Sequence, residues 1–150
     1  MQVVLATGGF DPLHSGHIAY LKEARKQGDY LVVGVNSDDW IIRKKGRYFM
    51  PWYERSEIVG NLSCVDEVIS FDDNDNTAKD AIRQVLDRHD NCIFVNGGDR
   101  KFDNIPEMDG YDTNNNVKFV FGVGGENKQN SSRWILEEWN LALSIDLDTF

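Results

Sequence analysis

Apolar positions along this chain switch between a continuous and a helical spacing. Val3-Val4-Leu5-Ala6 is a short apolar run and predicts a first strand. Ile18, Leu21 and Ala24 then recur at helical spacing and predict a helix that runs to about Gln27 and stops at Gly28. Tyr30-Leu31-Val32-Val33-Gly34-Val35 is apolar throughout, as in a strand covered on both faces. A short helix is expected from Asp38 to about Arg43. Pro51 suits a helix start, and Ile58, Val59 and Leu62 supply that helix with its apolar side.

Val65 to Phe71 contains the third predicted strand, followed by an acidic loop, Asp72 to Asn76. Thr77 can cap a helix whose buried face is Ala78, Ala81, Ile82, Val85 and Leu86. Ile93-Phe94-Val95 is the fourth strand and Val117 to Phe121 the fifth. Between them, Lys101 to Asn116 is polar and aperiodic and reads as a long loop. Gly122 to Asn130 is a second, glycine-bearing loop. Ser131 and Ser132 open a last helix that carries Ile135, Leu136, Trp139, Leu141 and Leu143. Strands alternating with helices predict an α/β fold. It is a Rossmann-like, doubly wound parallel sheet of about five strands with helices on both faces, and it forms one domain over residues 1–150.

A net charge of −9 argues against a nucleic-acid partner, because that binding neutralises phosphates with lysine and arginine. No apolar run approaches a membrane span, so no membrane partner and a cytoplasmic location are expected. Cys64 and Cys92 sit among apolar residues and read as buried free thiols. On this acidic background one dense basic cluster stands out: Arg43, Lys44, Lys45 and Arg47.

The candidate chemistry gathers where the first strand meets the first helix. Thr7-Gly8-Gly9-Phe10-Asp11-Pro12-Leu13-His14-Ser15-Gly16-His17 lies at the carboxyl edge of the expected sheet, where open α/β folds bind ligands. Gly8 and Gly9 permit close backbone approach. Ser15 can cap the helix, and the free N–H groups of its first turn favour an anion. His14 and His17, three residues apart, can face one site. Together these features make a place for phosphate.

The segment Gly9-Phe10-Asp11-Pro12-Leu13-His14-Ser15-Gly16-His17 resembles the signature of the nucleotidylyltransferase superfamily, Gly-x-Phe-Asp-x-x-His-x-Gly-His. That superfamily includes cytidylyltransferases for glycerol phosphate and phosphocholine and adenylyltransferase domains for heptose phosphate. Val35-Asn36-Ser37-Asp38, Lys45-Gly46, Val65-Asp66-Glu67-Val68 and Asn96-Gly97-Gly98-Asp99 extend the resemblance toward the heptose group. The resemblance implies transfer of a nucleoside monophosphate, adenylyl favoured, from a nucleoside triphosphate (ATP or CTP) to a phosphorylated small molecule. A glycerol-phosphate-type cytidylyltransferase and a non-catalytic nucleotide-binding module are the alternatives.

It further implies roles for individual residues. His14 and His17 hold the triphosphate, with Lys45 or Lys44 as the lysine that contacts phosphate. Phe10 walls the nucleotide pocket or packs the turn. Asp11 shapes the loop or helps place a magnesium ion, which would ride mainly on the nucleotide's phosphates and water rather than on protein ligands. Arg43 and Arg47 lie in the basic cluster facing substrate phosphate. Arg55 joins them, or forms a surface ion pair with a neighbouring glutamate. Gly97 lets the backbone approach the nucleotide, and Asp99 accepts bonds from base or ribose or caps its loop. Lys128, Asn130, Ser131 and Ser132 form a second anion site at the start of the last helix. Asn130 stands where similar enzymes carry a serine, which weakens the cytidylyltransferase alternative. Similar proteins are often dimers, so the resemblance allows a homodimer; no stripe along the chain shows an interface.

Overall fold

A computed structural model describes residues 1–97, 105–111, 113–124 and 131–149. Five parallel strands form one sheet: β1 (Val3–Gly8), β2 (Tyr30–Val35), β3 (Glu67–Ile69), β4 (Cys92–Gly97) and β5 (Val117–Val123). The helices are α1 (Ser15–Arg25), α2 (Asp38–Lys45), α3 (Trp52–Gly60), α4 (Lys79–Arg88) and α5 (Ser132–Thr149). Strand order is β3-β2-β1-β4-β5. The chain winds outward from β1 to β3, then returns to the far side of β1 to begin β4. That reversal between β1 and β4 creates the crevice where doubly wound sheets bind ligands.

The central strands are apolar on both faces because both faces are covered. Val3, Leu5, Val32 and Phe94 pack with Ala81, Ile82 and Val85 of α4. Val4, Ala6, Val33, Val35 and Val95 pack with Leu21 and Ala24 of α1 and Val59 of α3. Val4 lies beside Ile93 and Leu5 beside Phe94 in the β1–β4 register, and β1 pairs with β2 over its whole length. This frame fixes Gly8 and Gly97 at one carboxyl edge.

Three local expectations change. The first helix is capped by His14, not Ser15, because the His14 ring reaches forward to accept from the Gly16 N–H. Helix α2 continues past Arg43 to Lys45 and ends at Gly46, whose φ of 92° is a left-handed conformation that glycine adopts at little cost. Thr77 lies one residue before the cap position of α4, though its hydroxyl still accepts from the Lys79 N–H at 3.3 Å. The cap position is Ala78, and its N–H donates to the buried carboxylate of Glu107, 2.7 Å away. Glu107 belongs to a 3-10 turn, Pro106–Met108, inside the stretch read as a structureless loop.

Candidate active site

The two histidines are fixed by the backbone they cap. Nδ1 of His14 accepts from the Gly16 N–H at 3.1 Å, and Nδ1 of His17 accepts from the His14 N–H at 3.2 Å. A neutral imidazole whose Nδ1 accepts carries its proton on Nε2. Both rings are therefore set as Nε2–H donors. They stack with centroids 3.8 Å apart, and Phe10 meets His17 edge-on at 5.1 Å. Burial, the neighbouring His14 and the Lys45 ammonium together lower the pKa of His17 to about 3. His17 is thus neutral near pH 7, a donor that needs no charge of its own.

Asp11 and Arg55 build the walls. Asp11 is 2% exposed, and its two oxygens accept from the N–H groups of Phe49 and Met50, each at 2.7 Å. It shapes the loop, but by clamping a segment 38 residues away rather than its own turn. Arg55 is 0% exposed. Its guanidinium donates to the carbonyls of Gly9, Asn36 and Met50 and to the Asp38 carboxylate. The expectation that Arg55 faces substrate phosphate or a surface glutamate is corrected. Four of its five N–H donors are directed at protein oxygens, where they hold the carboxyl ends of β1 and β2 and the start of α2 together.

The basic cluster divides. Lys45, in the last turn of α2, lies near enough to His17 to act on its titration. Lys44 stands over the Trp40 ring, 4.6 Å from its centroid. Arg43 donates to the Asp73 carbonyl at 2.7 Å and to Asn76 Oδ1, so part of its guanidinium serves the 73–76 loop. Arg47 is exposed.

The glycines also separate by role. A Cβ on Gly8 would come within 2.9 Å of the Phe10 ring, so Gly8 makes room for that ring. Phe10 is buried with φ of 54°, so it packs the turn. Gly9 lies under Trp40 and Ile41 of α2. At Gly97 a Cβ would meet the Tyr20 ring at 3.0 Å and the Val123 carbonyl at 3.2 Å, so the bare Cα is filled by protein. Thr7 is half-buried at the end of β1. Ser131 caps α5 through the Trp134 N–H, and Ser132 Oγ donates to the Pro12 carbonyl at 2.7 Å. The start of α5 is thereby pinned to the histidine-bearing loop. Asp99, Lys128 and Asn130 lie outside the described residues.

Sequence reasoning missed Asp73 and Trp40, and it gave Asn36 no role beyond its motif. Asp73 is a buried acid in a run that reads as a solvated loop, and only its neighbours in space distinguish it from Asp72 or Asp75. Beside Pro12, a groove of about 610 Å³ opens between Phe49, Trp134 and Trp139. No three His, Cys, Asp or Glu side chains converge as a metal site among the described residues. Among those residues, no helix is long and apolar enough to cross a membrane.

Residues 5–132 match the family described as cytidylyltransferase-like. The chain belongs to that family. Among its curated relatives, the bifunctional protein HldE of Erwinia tasmaniensis is 36% identical over 144 residues, covering 84% of this chain and 29% of that protein. HldE of Geobacter sulfurreducens is 34% identical over 141 residues, covering 92% and 28%. This member of the family thus spans under a third of the length of those relatives. The solved structure of a lipopolysaccharide core biosynthesis protein from Thermoplasma volcanium GSS1 superimposes with a TM-score of 0.63 at 34% identity. It covers 87% of this chain and 99% of its own.

Proposed function

We propose that this chain transfers a nucleoside monophosphate, adenylyl by preference, from a nucleoside triphosphate to a phosphorylated sugar. A phosphate oxygen of the acceptor attacks the α-phosphorus. The bond from that phosphorus to the bridging oxygen of the β-phosphate breaks, and pyrophosphate leaves with the electron pair. Such transfers depend on alignment and on holding charge as it moves between oxygens.

The observation that carries the reading is the orientation of the two imidazoles. Each is locked by its Nδ1 contact, so that Nε2–H is offered at the N-terminus of α1, with the Lys45 ammonium close by. Preorganised donors of this kind stabilise developing negative charge without reorganising during the reaction. Similarity to HldE, and to a protein of lipopolysaccharide core synthesis, supports a sugar phosphate as acceptor.

Magnesium would neutralise phosphate charge. Asp11 is 2% exposed and each of its oxygens accepts from a backbone N–H, so its visible work is to shape the loop, and the ion would arrive with the triphosphate. The test is pyrophosphate release with ATP or CTP against sugar phosphates, glycerol phosphate and phosphocholine. Release with ATP and a sugar phosphate is expected. Release with CTP and glycerol phosphate alone would replace the reading, and nucleotide binding without release across the panel would make the chain a binder.

A further inference from the structure

We propose that Asp73 is a positioning residue for Lys45, because it fastens both ends of the helix that carries the lysine to the histidines. The proposal rests on the phosphate role given above to Lys45.

The N-terminal fastening is a buried knot. Asp73 is 3% exposed, and its Oδ2 accepts from the Ser37 N–H at 2.8 Å and from Asn36 Nδ2 at 3.1 Å. Its Oδ1 accepts from Ser37 Oγ at 2.6 Å. Ser37 is the cap of α2, and the same Oγ takes the Trp40 N–H at 3.0 Å. The Asp73 carboxylate is therefore one atom removed from the first turn of α2.

The second fastening is at the other end. Arg43, in the last turn, donates to the Asp73 carbonyl at 2.7 Å, and its guanidinium also reaches Asn76 Oδ1. Arg43 and Lys45 are two residues apart, about 200° around a helix. With Arg43 held by the 73–76 loop, Lys45 is turned to the opposite side of the helix, and its ammonium is near enough to His17 to help lower that residue's pKa. Asp73 thus sets the tilt of α2 through its side chain and the rotation of α2 through its carbonyl.

The lever is short but sufficient. A helix of eight residues is about 12 Å long, so a tilt of about 10° at one end moves the other by about 2 Å. A misplacement of about 1 Å is enough to cost a large factor in a positioned reaction.

The experiment is a double-mutant cycle between Asp73→Asn and Lys45→Met. Two quantities are read on the intact chain: affinity for inorganic tripolyphosphate, and the ring ¹⁵N chemical shifts of His17 at pH 7. Lys45→Met should weaken tripolyphosphate about tenfold, the worth of one charge-assisted contact. Asp73→Asn should lose several-fold of this, and the double variant should be no weaker than Lys45→Met alone. The His17 shifts should move the same way in both single variants and no further in the double. Losses that multiply, or a His17 signal unmoved by Asp73→Asn, would overturn the proposal by making Asp73 a fold-stabilising residue only. If Asp73→Asn does not fold, Arg43→Gln cuts the exposed fastening and leaves the buried knot whole; it must displace His17's signal in the same direction. Lys45→Met that moves the His17 signal but leaves tripolyphosphate affinity intact would refute the phosphate role of Lys45 while sparing the positioning.

Discussion

His17 works with both of its nitrogens. Nδ1 closes the helix cap and leaves the proton on Nε2, so the side chain builds the structure and keeps a donor at once. His17→Asn leaves a side-chain acceptor for the His14 N–H but removes the imidazole donor. We expect kcat to fall about 10²- to 10³-fold with KM within a few-fold, the size of the loss when one preorganised donor is removed. Steady-state kinetics beside a melting curve separates that outcome from unfolding. The same ring shapes acid stability. Folded His17 titrates near 3 and the unfolded side chain near 6.5, so between those values only the unfolded chain takes up the proton. Its contribution is complete above about pH 6.5. Stability then falls with pH, by up to about 1.4 kcal/mol per unit. Urea titrations at stepped pH should show a shallower slope for His17→Asn than for the wild type. The histidines could be read from the sequence because a strand, two glycines and a helix frame them. Arg55 could not. Its codirected partners are the carbonyls of Gly9, Asn36 and Met50, and backbone acceptors leave no mark on a sequence.

At the scale of elements, α3 acts as a brace through Arg55. The residue joins the glycine loop, the end of β2, the 48–50 segment and the first residue of α2. Arg55→Met would leave Asp38 unpaired and three carbonyls short of a donor. We expect a loss of about 3 kcal/mol in urea unfolding, mainly from the carbonyls left without a donor, since Asp38 is itself 34% exposed. Arg55→Lys should recover only part, since an ammonium cannot span acceptors spread around a planar guanidinium. The elements themselves were legible because their apolar periods are long and clean; Tyr30–Val35 and Ala81-Ile82-Val85 needed no tertiary information. Their ends were less so. Helix α2 outran its expected stop at Arg43 because Gly46, not the basic run, supplies the left-handed residue that ends it. The N–H of Ala78, which opens α4, is held by Glu107, 29 residues along the chain, which no local window contains.

For the molecule as a whole, the sheet is the body of the fold and the candidate site lies along its carboxyl edge. Cys92 begins β4 within the α4-side core, where burial pushes its thiol up to about 12. It should therefore react with a thiol reagent only when the sheet opens. Labelling of Cys92 at pH 8 is expected to follow the global unfolding free energy, while Cys64, half-buried, labels faster. Equal rates at the two positions would mean that β4 opens locally. That the strands run parallel follows from their alternation with helices, but the order β3-β2-β1-β4-β5 does not. Neither does the division of the basic cluster, where adjacent residues of one helix, Arg43, Lys44 and Lys45, serve an acidic loop, a tryptophan and a histidine.

The bond from Ser132 to the Pro12 carbonyl joins positions 120 residues apart. On a ribosome, the loop that bears the histidines is made 120 residues ahead of its clasp. A chain stalled before the final helix would hold both imidazoles and most of the sheet without that fastening. Synthesis from N- to C-terminus therefore delays completion of the site until the rest of the sheet has been made.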